Sequence, residues 1–201
     1  MDIGSINIIV KNGNIAEEKV DCIVIPEFTD CASYGGVGAA ISACGMEKGL
    51  ALYDSAVQQE PLALGHVMIT ESGLKNIKLA HVSTVNSQKE TQFKVIFDAV
   101  LMVLLEAEKQ GMKTIAIPEL GTGVIGYLTQ EQSARAIFCA VNQFSTRYPD
   151  SKIEEIRLVI FRNSTVPAET VLSKQSFEFE NEIGEKQFNF EAWLEEMVAR
   201  I

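Results

Sequence analysis

The chain alternates short β-branched runs with longer stretches of helical periodicity. "INIIV" (6–10) and "CIVIP" (22–26) are compact apolar runs closed by Asn, Gly or Pro chemistry, the pattern of buried strands. "GGVGAAISACG" opens on glycines and continues with small residues, which predicts a loop leading into a closely packed helix. "GLALYDSAVQQ" carries the helical pattern on. "HVMIT" and "IKLAHVSTV" predict two strands joined as a hairpin through "ESGLKN", where Ser-Gly and Asn supply the turn. "TQFKVIFDAVLMVLLEAEKQG" predicts a long helix with Thr91 as N-cap and Gly111 as its stop. Being apolar on most of its circumference, it belongs inside the core. "KTIAIP" is the next strand, 129–144 a second long helix, and "IRLVIF" (156–161) a last core strand. The expected class is α/β, with parallel strand pairs joined by helical crossovers.

The last stretch differs. Residues 175–201 hold seven acidic and two basic side chains, about half of the chain's net charge of -10. "FEFE" and "FNF" suggest an edge strand or hairpin, and "EAWLEEMVARI" puts Trp193, Met197 and Ile201 on one helical stripe. The expected division is a main domain over 1–174 and an acidic extension over 175–201 packed on it. The alternative is that the stripe serves a second copy of the chain, giving a homo-oligomer, or another protein.

Composition narrows the function. With 201 residues and 47% hydrophobic content the chain can fill one core. Its negative charge argues against direct nucleic-acid binding, so an anionic ligand must be held locally. Cys22, Cys31, Cys44 and Cys139 lack any CxxC pair and read as reduced core cysteines. His66 and His81, the only histidines, read as ordinary strand residues, and no metal or cofactor is expected. The N-terminus lacks a signal peptide's basic region, and "AVLMVLLEA" is too short to span a bilayer. The expectation is a soluble, cytoplasmic protein without membrane contact.

Two glycine-rich segments follow strands: "YGGVGAAI" (34–41) and "GTGVIG" (121–126). Glycine admits positive φ and removes the Cβ that would obstruct a phosphate, so consecutive N–H groups can converge on an anion. Tight turns also need glycine for steric reasons alone, so the pair of loops carries more than either one. Neither GxxxxGK[ST] nor GxGxxG is present.

This arrangement resembles the macro domain family, which binds ADP-ribose and related nucleotides. "GNIAEEKVDCIV" (13–24) corresponds without gaps to the family's Gly-Asp-Ile-Thr opening and its "VDAIVN" strand, and "TIAIPELGTGVIGYL" (114–128) is similar to "SIAFPAISTGVYGYP". The resemblance implies a three-layer α/β/α sandwich with a mixed central sheet and a cleft between the two glycine loops. It also implies ligand-binding roles. Asn14 stands where the family has an Asp that accepts from the adenine amino group, Ile15 lines the adenine pocket, and Phe161 is the aromatic after the last strand. Gly35, Gly36 and Val37 match the first phosphate loop, with Ser33 and Tyr34 in place of two leading glycines. Tyr34 would narrow the mouth or offer its hydroxyl to the ligand. Gly121, Thr122, Gly123, Val124 and Gly126 match the second loop, where Ile125 replaces an aromatic beside the distal ribose.

The family's hydrolases usually carry Asn-Ala-Ala-Asn after the second strand, where this chain has Ile25, Pro26, Glu27 and Phe28. Both amides are gone, and Phe28 cannot position a water or a ribose hydroxyl. Glu27 and Glu119 are the carboxylates that could act as general base in their place. Three readings follow: a binding module for ADP-ribose or a related nucleotide diphosphate, a hydrolase of ADP-ribose derivatives or another phosphorylated ribose using a loop carboxylate, and a structural or interaction protein whose pocket Tyr34 and Phe28 close.

Overall fold

The computed structural model describes residues 1–88, 91–123 and 128–161, together with Ala192, Glu195 and Met197. Seven strands form one sheet: β1 (Asp2–Ile3), β2 (Ile6–Asn12), β3 (Cys22–Phe28), β4 (Val67–Glu71), β5 (Lys78–Val85), β6 (Thr114–Pro118) and β7 (Glu155–Ile160). Their spatial order is β1-β2-β7-β6-β3-β5-β4. The inner pairs are parallel, and the outermost pairs, β1 with β2 and β4 with β5, are antiparallel. The sheet is therefore mixed, as expected from the hairpin and the crossovers.

Strand alternation sorts the core into two layers. Cys22 and Val24 of β3 face one side with Ile115, Ile117, Ile156 and Leu158, under the long helices α3 (Phe93–Lys109) and α4 (Gln130–Arg147). Ile23 and Ile25 face the other side with Ile41, Met46 and Leu50, under α1 (Val37–Ala43) and α2 (Glu47–Val57). Each such side chain, removed from water, contributes about 1.5–3 kcal/mol. Helices on both faces of the sheet make the three-layer α/β/α sandwich.

The helix ends show which local signals were readable. Thr129 caps α4 through the Gln132 N–H, and the Gln132 side chain returns a bond to the Thr129 N–H, a complete capping box. Gly111, at φ 67°, ends α3: its N–H reaches the Glu108 carbonyl, and the Met112 N–H reaches that of Ala107. The start of α3 departs from expectation. Gln92 occupies the cap without a side-chain bond, and Thr91 lies buried one residue earlier. The cysteines are all free, but only Cys22 and Cys139 are buried; Cys31 is exposed because it lies in the loop beyond β3.

Pro26 sits inside β3, where a central strand would normally exclude it. Pairing between β3 and β6 covers only two positions, Cys22 with Ile115 and Ile23 with Ala116. Beyond them β3 keeps its partner β5 through Phe28 but has left β6, so the missing N–H of Pro26 breaks no β3–β6 ladder. That parting of two adjacent strands opens the sheet at its carboxyl end.

Candidate functional site

A cleft of about 440 Å³ occupies this gap. Gly13, Asn14 and Ile15 line it beyond β2, Phe161 beyond β7, and Pro118 and Glu119 at the end of β6. Pro26, Glu27 and Phe28 line it from β3. The two glycine loops complete the walls, with Gly35, Gly36 and Val37 on one side and Gly121, Thr122 and Gly123 on the other. In open α/β sheets the crevice beyond the strand carboxyl ends is where ligands bind, and the cleft has that location.

The glycines divide by cause. Gly38 is required by its own fold, since a Cβ there would lie 1.7 Å from the Ser33 carbonyl oxygen. Gly36 adopts φ 49°, a conformation side chains disfavour. Gly35 and Gly123 are different: a Cβ at either would meet nothing within 4 Å among the described residues, and neither has positive φ. Among the described residues, packing gives no reason for glycine at these two positions, and both border the cleft.

Glu27 is the most deeply engaged side chain at the site. Its Oε2 accepts from the Ser33 N–H, and its Oε1 lies 2.9 Å from His81 Nδ1. His81 Nε2 lies 2.8 Å from Thr70 Oγ1, and Tyr53 stacks on the imidazole with ring centroids 4.7 Å apart. The Tyr53 hydroxyl donates to the Phe28 carbonyl at 2.6 Å. Burial pushes the Glu27 carboxyl up to about 8; the Ser33 N–H opposes the shift and nearby Asp54 adds to it. Burial lowers His81 to about 3. Both shifts favour the neutral forms at pH 7, and Glu27 donating to Nδ1 with Nε2–H donating to Thr70 is an assignment that satisfies every group. Asp54 of α2 accepts the neighbouring Ala32 N–H at 3.0 Å. Two acidic side chains thus hold successive amides of the first loop.

The other expected residues fall out as follows. Asn14 reaches the cleft, but its Oδ1 accepts from the Ala16 N–H at 3.1 Å and its Nδ2 donates to Glu17, capping the short 3-10 turn Ile15–Glu17. Ile15 is buried in the second core layer, whereas Phe161 is 66% exposed at the mouth. Tyr34 is 59% exposed and absent from the cleft lining. The cleft therefore stands open among the described residues, with Phe28 in its wall and Tyr34 outside. Glu119 is half-buried, and burial raises its pKa against the opposing effect of a 3.4 Å bond from Gln130 Nε2. Val124, Ile125 and Gly126 lie outside the described residues, as do Trp193 and Ile201 of the C-terminal stripe.

Sequence reasoning passed over His81, Tyr53 and Thr70. One signal was available: Glu27 lies near the end of an otherwise apolar strand and His81 lies between Ala80 and Val82 within another, and buried acids and bases need partners. Among the described residues, no three His, Cys, Asp or Glu side chains gather to hold a metal ion, and no helix is long and apolar enough to cross a membrane.

The comparisons with known proteins agree with this architecture. The macro domain family model matches residues 29–137. An O-acetyl-ADP-ribose deacetylase from Salmonella gallinarum is 32% identical over 147 residues, covering 69% of this chain and 79% of that protein. An uncharacterised Thermotoga maritima protein is 28% identical over 74% of this chain, which spans only 25% of that relative's length. The Oceanobacillus iheyensis macrodomain, as a mutant with ADP-ribose bound, shares the fold with a TM-score of 0.72 and 20% identity, covering 90% of this chain and 97% of that one. The chain belongs to the macro domain family.

Proposed function

We propose that the cleft binds ADP-ribose or a related nucleotide diphosphate through its two glycine loops, without the family's usual hydrolase chemistry. The observation that carries this reading is the convergence of Gly35 and Gly123, glycines without an internal reason among the described residues, on one open cleft that ends at the exposed ring of Phe161. Backbone amides and absent side chains suit a diphosphate, and an exposed aromatic face suits a base. Catalysis has weak support. Ile25 is fully buried, Pro26 and Phe28 offer no side-chain hydrogen bond, and both Glu27 oxygens are spent within the fold. A buried acid that is neutral at pH 7 is a poor general base.

The proposal extends to the chain's setting. The four free cysteines suit a reducing cytoplasm. None of the described residues lining the cleft is Lys or Arg, and with the net charge of -10 this argues against nucleic acid as a direct partner. Residues 1–174 act as the ligand-binding domain and 175–201 as an extension packed on it, a division supported by Met197, which is fully buried within the main core layer.

Calorimetric titration with ADP-ribose tests the reading. Binding is expected, with a stabilisation of about 2.7 kcal/mol at a ligand concentration a hundredfold above Kd. Gly123→Glu should weaken it by more than about tenfold, because a carboxylate side chain would project into the phosphate position. No heat and no thermal shift with ADP-ribose, ADP or AMP would refute the proposal. Product release from ADP-ribose derivatives, lost in Glu119→Gln, would replace it with the hydrolase reading.

A further inference from the structure

We propose that Glu119 reads the ribose adjoining the base, its carboxylate accepting hydrogen bonds from the sugar's vicinal 2′- and 3′-hydroxyls; this deepens, and rests on, the nucleotide reading of the cleft. The strand order fixes where that sugar must lie. On the nucleotide reading the base lies beyond β2 and β7, where Asn14, Ile15 and the exposed Phe161 line the cleft, and the phosphates lie at the loops beyond β3 and β6. In the sheet β6 lies between β7 and β3. Adjacent strands are about 4.8 Å apart, so the group joining base to diphosphate crosses the end of β6. Glu119 is the first residue after β6 and stands two positions before Gly121. The Thr122 hydroxyl donates to the Glu119 carbonyl at 3.4 Å, tying the residue to the second loop.

The carboxyl is left with unused capacity. Its one hydrogen bond among the described residues is the 3.4 Å contact from Gln130 to Oε2, so Oε1 has no partner there. A carboxylate only accepts, and a half-buried one favours a partner with two donors at matching spacing. A cis-diol supplies that pair. The phosphates do not, and a phosphate on the 2′-oxygen would remove one donor and set anion against anion. Glu27 differs in kind, because its two oxygens already serve Ser33 and His81. At 2% exposure, with both bonds made inside the fold, it presents almost no surface to a sugar. Selection for an unmodified ribose therefore falls to Glu119.

The test is a calorimetric comparison of ADP, 2′-deoxy-ADP and 2′-phospho-ADP on the full chain, in the wild type and in Glu119→Ala. The wild type should bind ADP about ten- to a hundredfold more tightly than 2′-deoxy-ADP, the range expected for a hydrogen bond to a charged acceptor, and 2′-phospho-ADP more weakly still. In Glu119→Ala the ADP to 2′-deoxy-ADP ratio should fall to within about twofold, with 2′-deoxy-ADP, which keeps its 3′-hydroxyl, weakened less than ADP; a ligand-free unfolding midpoint close to that of the wild type shows that the variant is folded. Equal wild-type affinities for ADP and 2′-deoxy-ADP, or a preference that survives Glu119→Ala, would overturn the assignment and leave the nucleotide reading standing. Failure of the wild type to bind any of the three would overturn both.

Discussion

Glu27 and Glu119 stand at the carboxyl ends of neighbouring strands and line the same cleft, yet their surroundings are opposite. Glu27 is 2% exposed, with each oxygen assigned to a partner, and those partners link the first loop to β5, β4 and α2. Glu119 is half-buried and holds one long contact from Gln130. Both carboxyls are shifted upward by burial, so the shift alone does not separate them. Completeness of hydrogen bonding does. A buried acid whose bonds are all made internally maintains the site's shape, and one with unfilled capacity remains for the ligand.

The largest test of that contrast is Glu27→Ala, which strips the Ser33 amide and His81 of their partner. It should destabilise the protein by about 2–4 kcal/mol, lowering Tm by roughly 5–15 °C in a calorimetric scan. A loss below about 1 kcal/mol would show that the network is dispensable.

The pH dependence of stability comes next. Glu27 is raised in the folded state to about 8, so through the range from its ordinary value of 4.5 up to 8 the folded chain holds a proton that the unfolded chain has released. Its contribution falls as pH rises through that window. His81 is lowered to about 3 from 6.5, so between those values the unfolded chain holds the extra proton and stability rises with pH. The two effects offset between 4.5 and 6.5. Above that only Glu27 acts, and a decline of on the order of 2 kcal/mol is expected by pH 8. In Glu27→Gln, whose amide accepts from Ser33 and donates to His81 as the neutral acid does, this decline should vanish, and at pH 6, already inside the wild type's window, the variant should be the more stable by on the order of 2 kcal/mol. Denaturant titrations at pH 6 and 8 would measure both.

Two smaller effects complete the series. Tyr53→Phe removes the bond to the Phe28 carbonyl but keeps the ring on His81, and should cost about 1 kcal/mol in urea unfolding. Glu119→Ala should change stability by no more than about 0.5 kcal/mol, since it breaks only the long Gln130 contact. A large loss there would mean that Glu119 is structural after all.

How much of this could be read in advance follows from the range of each signal. The glycine segments, the helix beginning at Thr129 and the stop at Gly111 are encoded within a few residues, and they were legible; the capping box at Thr129 was not read, though it too is local. Glu27 and His81 are 54 positions apart and meet only because β3 and β5 pair with Ile25 beside His81. Tyr53 reaches them from a third element. No local periodicity carries that register, so His81 passed for an ordinary strand residue. Asn14 shows the converse. Its place beside the cleft was legible, but its engagement as a cap for the Ala16 N–H depended on backbone geometry.

The brief pairing of β3 with β6 has a bearing on how such a protein diverges. The opening begins where two strands separate after Ile23 and Ala116, both sealed in the core. Substitution in the loops can therefore exchange one occupant for another of similar girth while the frame stays fixed. A change of girth would require rebuilding the middle of the sheet, which ties the range of ligands open to descendants of this chain to the solvent-inaccessible half of the molecule.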